Sequence, residues 1–325
     1  MDVLVAGGCG FIGSNFVKLI IDGYFPEIDS VTVIDKLSYA GNLNNFTQGE
    51  LGNIRFIKGA IQDQEALREL QSFRFDAVIN FAAESHVDRS IDSPGIFIQN
   101  NVLGTQMLLE LFRKKGWGTF LQVSTDEVYG SIAEGSWDEN CPLLPNSPYS
   151  ASKASADLIC RSYYKTFDLD VRITRCSNNY GPYQFPEKVI PVFITNLIQG
   201  KSIPIYGDGR NIRDWLHVKD HCRGIVAALV NGRSGNVYNI GGGRELSNLD
   251  LATEVLSIMG YGPEKIQYVP DRLGHDLRYS VSYEKANSQL GYEPIMNFET
   301  GLKETIDWYQ KNPDWWKPLL SRNSS

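Results

Sequence analysis

With 325 residues, 42% of them hydrophobic and 21% charged, the chain has the composition of a soluble globular protein long enough for two domains, or for one large domain with a satellite. A net charge of -7 and an isoelectric point near 5.2 argue against a nucleic-acid backbone or an anionic membrane surface as partner, though not against a small anion held by local arginines. No apolar run approaches membrane-spanning length and the first residues enter a strand at once, so a cytoplasmic protein is expected.

Asp2-Val3-Leu4-Val5-Ala6 reads as a strand that turns through Gly7-Gly8-Cys9-Gly10-Phe11-Ile12-Gly13 into a helix. Glycines at 7, 10 and 13 give a Gly-x-x-Gly-x-x-Gly spacing, close to the dinucleotide fingerprint, in which bare backbone and a helix N-terminus receive a pyrophosphate. Val31-Thr32-Val33-Ile34 is the second strand. Asp35 closes it where a carboxylate accepts from ribose hydroxyls and repels a 2′-phosphate, which favours NAD; a turn or cap is its alternative role, and Lys36 beside it weakens the preference. Ile54 to Gly59 forms a third strand, a helix runs from about Asp63 to Leu70, and Ala77 to Ala83 forms a fourth strand ending in small residues where a cofactor needs access. This alternation predicts a Rossmann-type doubly wound parallel sheet. A helix from about Asn101 to Lys115 then leads to the strand Thr119-Phe120-Leu121-Gln122-Val123.

Just past that strand stands Ser124-Thr125-Asp126-Glu127-Val128-Tyr129-Gly130, a hydroxyl pair followed by adjacent carboxylates. Burying like charges side by side is costly, and acid/base work, which needs the two pKa values pushed apart, justifies it. Tyr149 and Lys153, four apart on a predicted helix, share one face. Val171 to Arg175 is a sixth strand, ending in the loop Cys176 to Pro182, after which glycine, proline and aromatic content rises. The sequence therefore divides into a cofactor domain over 1–182, with a return around 214–241 through the possible strand Asn236 to Ile240, and a smaller α/β substrate domain over 183–325. Asp220 reads as the N-cap of the helix through Arg223 to Leu229, leaving His217 outside it; no third ligand accompanies His217 and His221, and no metal site is expected. The five cysteines lack Cys-x-x-Cys spacing and read as reduced thiols.

The glycine loop, the Ser/Thr before the carboxylates and Tyr-x-x-x-Lys together resemble the extended short-chain dehydrogenase/reductase family. Within it, Ala83-Glu84-Ser85-His86-Val87-Asp88-Arg89-Ser90, Ser124 to Gly130 and Asn178-Asn179-Tyr180-Gly181-Pro182-Tyr183-Gln184 are similar to the dTDP-glucose 4,6-dehydratases, a likeness that extends through Gly274 to Tyr279. Ala6 departs from the threonine that many members carry. The resemblance implies oxidation of a dTDP-glucose C4 hydroxyl by bound NAD, elimination of water across C5 and C6, and return of the hydrogen to C6. It assigns Tyr149, as a phenolate favoured by Lys153, to the C4 hydroxyl proton, Thr125 to the C4 oxygen, Glu127 to the C5 proton and a protonated Asp126 to the leaving C6 hydroxyl. It places Gly7, Gly10, Phe11, Ile12, Gly13, Asp35, Lys36, Ala60, Ile61, Phe81, Ala82 and Ala83 on NAD together with Tyr149 and Lys153.

An anionic nucleotide-sugar also needs donors in the second half, for which Lys188, Arg213, Arg272 and Arg278 are candidates, with His275 nearby in sequence. The resemblance adds Asn178, Glu187 and Val189 in the sugar-nucleotide pocket, Pro204 and Tyr206 beside the base, Ser85, His86 and Asp88 at the sugar, and Asn248. Tyr206 is equally readable as core packing, and Trp308, Trp315 and Trp316 as packing for the last helix. A homodimer through the helices after residues 100 and 149 is implied. The competing readings are a UDP-sugar 4-epimerase, a UDP-glucuronate decarboxylase or a CDP- or GDP-sugar dehydratase, and, from another class, a non-catalytic dinucleotide sensor. Epimerisation has no use for a C5 base, and a sensor none for the Tyr149 and Lys153 pair.

Overall fold

The structure, a computed structural model, describes residues 1–271 and 274–321. In chain order the strands are β1 (Asp2–Ala6), β2 (Ser30–Asp35), β3 (Arg55–Lys58), β4 (Ala77–Asn80), β5 (Thr119–Thr125), β6 (Val171–Cys176), β7 (Asn178–Tyr180), β8 (Ile203–Tyr206), β9 (Ile212–His217), β10 (Val237–Ile240), β11 (Glu245–Ser247) and β12 (Ile266–Val269). Seven of them form one parallel sheet in the order β10-β6-β5-β4-β1-β2-β3. The order reverses at β1, where Val3 lies opposite Val31 of β2 on one side and Ala77 of β4 on the other. That reversal opens a crevice beyond the strand C-termini, the place where such sheets bind ligands.

Strand periodicity explains why the sheet is covered on both faces. Val3 and Val5 pack with Phe16, Val17 and Ile20 of the helix Phe11–Ile21, while Leu4 and Ala6 pack on the other face with Leu67, Leu108 and Phe112. A strand buried on both sides reads as a continuous apolar run, as β1 does. A second lobe has its own core, built from Ile190, Phe193 and Leu197 of the helix Val189–Ile198, Leu251 and Val255 of Asn248–Met259, and Leu302, Ile306 and Tyr309 of Phe298–Lys311. It carries the three-stranded sheet β11-β9-β7 and the parallel pair β12-β8. Trp316 is fully buried in this core, and Trp315 Nε1 donates to Asn45 Oδ1 at 2.9 Å, joining the chain's last helix to its N-terminal half.

Three local expectations change. The helix expected from Asn101 is α-helical only over Gly104–Lys115; Ile98–Leu103 ahead of it forms a π-helical segment in which both Asn100 and Asn101 are buried. The run after Cys176 is not all loop, because Asn178–Tyr180 pairs with β9 as a strand. The N-cap of the helix Val218–Asn231 is His217, not Asp220: His217 Nδ1 accepts from the Lys219 N–H at 3.3 Å, whereas Asp220, inside the first turn, accepts from the Ile295 and Met296 N–H groups and from Arg223.

Candidate active site

The glycine loop lies between β1 and the helix Phe11–Ile21, and its shape is sterically enforced. Gly7 has φ +78°, and a Cβ there would stand 2.6 Å from the Ala82 nitrogen; a Cβ on Gly13 would meet the Gly7 carbonyl oxygen at 2.3 Å. Gly10 differs, since its nearest such neighbour is at 3.5 Å, so its missing side chain leaves the floor of the cleft bare. Gly10 caps the helix with no side-chain hydrogen bond, and Phe11, Ile12 and Gly13 line the cleft, so the dipole-positive helix end faces it.

This cleft continues along Asp35, Lys36, Ala60, Ile61, Ala82 and Asn100, and Phe81 and Ala83 line both its parts. Asp35 accepts from the Cys9 N–H at 2.9 Å through one oxygen and from the Leu37 N–H at 2.7 Å through the other. Burial raises its pKa, against these amides and Lys36. An anion-receiving helix end, a bare floor and a fixed carboxylate past β2 fit a dinucleotide of the NAD type.

The carboxylate cluster sits where β5 ends. Ser124 and Thr125 are still strand, and Asp126–Tyr129 make a single 3-10 turn, capped by Thr125 Oγ1 accepting from the Glu127 N–H at 3.3 Å. Thr125 Oγ1 in turn donates to Asp126 Oδ1 at 3.2 Å, while Asp126 Oδ2, buried, has no hydrogen-bond partner. Burial, then the charges of Glu127 and Asp214, raise the Asp126 pKa well above the carboxylate range, against Arg213. With Oδ1 accepting from Thr125, Oδ2 is the oxygen that a proton on this carboxyl would occupy. Glu127 lines the cofactor and second clefts alike.

Tyr149 and Lys153 lie one turn apart on the helix Pro148–Phe167, which starts at a capping box made by Ser147 and Ser150. Both line the cofactor cleft. Burial first and Glu127 second push the Tyr149 pKa well up. Lys153 Nζ donates to the Val123 carbonyl at 2.7 Å, and burial lowers its own pKa against the pull of Asp157.

The second cleft is lined by His86, Asp88, Asn178, Glu187, Lys188 and Val189 on one side. Pro204, Tyr206, Arg213, Asn248 and His275 line the other, and Ser85 faces the cofactor cleft. Lys188 Nζ donates to the Ser85 carbonyl at 2.9 Å, and Glu187 accepts from the Tyr39 hydroxyl at 3.1 Å, tying the loops after β2, β4 and β7 together. Arg278 is the exception. Its guanidinium forms a bidentate pair with Glu245, both contacts at 2.7 Å, and donates to the Gly135 carbonyl, which turns it away from the cleft lining. Arg272 lies outside the described residues.

Sequence reasoning missed several lining groups. Asn179 and Gln184 belong to the run quoted for its resemblance, yet only the structure shows Gln184 Nε2 donating to the Asn179 carbonyl and the Asn179 amide facing His221 at 2.9 Å. Tyr279 donates to Asp276 at 2.6 Å and lies under Arg213, whose guanidinium is 4.3 Å from the ring centre. Asn100 had no periodic signal, because a π-helical turn breaks the 3.6-residue pattern.

This sheet, glycine loop and tyrosine-lysine helix define a short-chain dehydrogenase/reductase of the extended class. The model of the GDP-mannose 4,6 dehydratase family matches residues 4–305. A dTDP-glucose 4,6-dehydratase of Streptomyces niveus is 50% identical over 99% of this chain and 96% of its own length, and one of Streptomyces antibioticus is 52% identical with the same coverage. Among solved structures, DesIV of Streptomyces venezuelae, a dTDP-glucose 4,6-dehydratase with NAD bound, superposes with a TM-score of 0.95 at 52% identity, covering 98% of this chain and 100% of that one. A UDP-glucose 4-epimerase of Thermotoga maritima, 33% identical with a TM-score of 0.88 over 96% of this chain and 100% of its own, shares the fold at greater distance. The chain belongs to the dTDP-glucose 4,6-dehydratase family.

Proposed function

We propose that this protein converts dTDP-glucose to dTDP-4-keto-6-deoxyglucose and water with bound NAD, and that Thr125, Asp126, Glu127, Tyr149 and Lys153 carry the chemistry. The supporting observation is Asp126: a buried carboxyl whose pKa burial and then Glu127 raise well above the carboxylate range, with Oδ2 lacking any protein partner and Glu127 at the neighbouring position. A C6 hydroxyl leaves only if it is protonated and only if C5 gives up its proton, and a ketone at C4 makes that C5 proton acidic. Bound NAD supplies a reversible acceptor for the C4 hydrogen and, in its oxidised ring, a positive charge in the same cleft. Tyr149 takes the C4 hydroxyl proton; because burial raises its pKa, it does so only with positive charge near it, from Lys153 and the cofactor. Thr125 steadies the C4 oxygen, Glu127 removes the C5 proton and Asp126 protonates the departing hydroxyl.

We assign the dinucleotide to residues 1–182 with the return around 214–241, which supply the whole lining of the Asp35 cleft, and the nucleotide-sugar mainly to 183–325, with His86, Asp88, Glu127 and Asn178 of the first part lining the same second cleft. Lys188 and Arg213 serve the diphosphate. Among the described residues no helix is long and apolar enough to cross a membrane, and we place the protein in the cytoplasm as a homodimer. Exposed Leu103 and Leu158, at 47% and 56%, lie on the packed segments after residues 100 and 149 and support that pairing. Incubation with dTDP-glucose without added reductant should yield the 4-keto-6-deoxy sugar; turnover of a UDP-, CDP- or GDP-sugar alone would overturn the substrate assignment.

A further inference from the structure

At the adenosine end of the cofactor cleft, two adjacent residues pull in opposite directions. Asp35 repels a 2′-phosphate, whereas Lys36, lining the same cleft, carries the charge that would attract one. The Lys36 ammonium is engaged elsewhere. Its Nζ stands 2.8 Å from Glu84 Oε1 and 3.0 Å from Asn100 Oδ1, and Asn100 Oδ1 also accepts from Gln62 Nε2 at 2.6 Å. Glu84 lies in the loop after β4, is 8% exposed and does not line this end of the cleft. Its backbone is fixed by Asn101, whose Oδ1 accepts from the Glu84 N–H at 2.8 Å and whose Nδ2 donates to the Glu84 carbonyl at 3.0 Å. Glu84 therefore meets Lys36 from a rigid position. With the pair intact the ammonium is held toward Glu84 and its pull on a 2′-phosphate is offset; without Glu84 that pull would counter the repulsion from Asp35.

We propose that Glu84 is a specificity-determining residue for the cofactor: by pairing with Lys36 it withholds the ammonium that a 2′-phosphate would recruit, so the site selects the unphosphorylated dinucleotide. The proposal rests on the NAD reading above. Glu84 acts through Lys36, as a positioning residue, and its signature is a change in cofactor choice, which simple loosening of the loop would not produce.

The test is equilibrium titration of the cofactor-depleted full chain with NAD and with NADP, followed by calorimetry, in the parent, Glu84→Gln and Glu84→Gln/Lys36→Gln. Glu84→Gln should raise the NADP-to-NAD affinity ratio by about tenfold or more, as expected when a nearby cation is released toward a dianion. Adding Lys36→Gln should bring the ratio back to within about threefold of the parent, because the cation responsible is gone. An unchanged ratio in Glu84→Gln, or a rise that survives Lys36→Gln, overturns the proposal. Should Glu84→Gln fail to fold, Glu84→Asp withdraws the carboxylate by one methylene and should raise the ratio by about threefold; no rise there overturns it too. If the parent binds neither dinucleotide, the NAD reading itself fails, a result distinct from NAD binding with an unaltered ratio.

Discussion

Asp126 and Glu127 are neighbours in sequence, and the turn at the end of β5 gives them different surroundings: Asp126 is 2% exposed, while Glu127 faces both clefts. Glu127→Gln should leave nucleotide-sugar binding within about threefold and slow turnover by about a hundredfold or more, the usual worth of a general base. Steady-state kinetics with a separate binding titration checks this, and turnover at the parent rate would remove Glu127 from the role. Asp126 makes a prediction about stability. Its folded pKa lies above its unfolded one, so the folded state binds the proton more tightly, and stability falls as pH rises from the ordinary carboxylate range through the raised value. Asp126→Asn removes that loss, so its melting temperature relative to the parent should climb as pH is raised from the ordinary carboxylate range through neutrality. A difference that stays flat across that range would mean that Asp126 is not held neutral.

At the scale of elements, the glycine loop is set by close approach. Gly13→Ala would force its Cβ against the Gly7 carbonyl oxygen, a backbone atom with no freedom to move aside, so the loop must open. Loss of NAD by about tenfold or more in affinity is expected for such a shift at a helix end that receives the pyrophosphate, and calorimetric titration reads it. The elements of this half were largely legible. β1, β2, β4 and β5 stand in the sequence as largely apolar runs because both faces of the sheet are covered. The Ser147 cap and Pro148 mark the start of the tyrosine-lysine helix by local chemistry alone. What was not legible depends on contacts distant in sequence. Arg278 reads locally as a phosphate donor, but Glu245, 33 residues away in the chain, holds its guanidinium, and the burial that raises the Tyr149 pKa comes from packing that no local motif displays. The Asp220 cap misled because its carboxylate is claimed by N–H groups about seventy-five residues away, at 295 and 296.

The whole molecule places the reacting groups between two cores. β5 ends at the boundary, so that Glu127 sees the cofactor cleft on one side and the lobe bearing Pro204, Arg213 and His275 on the other. If the proposed homodimer forms, exposed Leu158 on the helix Pro148–Phe167 should lie within its subunit contact, and Leu158→Glu should shift the protein to a monomer in light scattering behind size exclusion. A parent chain that is already monomeric would contradict the pairing. The proposed chemistry requires that one hydrogen be lifted from C4 and returned at C6 of the same sugar. dTDP-glucose deuterated at C4, turned over in ordinary water by the purified protein with no added reductant, puts that to the test by NMR and mass analysis of the sugar. Deuterium retained at C6 of a 4-keto-6-deoxy product is the predicted result. A dehydrated product with no deuterium at C6, or a C4 epimer in place of dehydration, would contradict it.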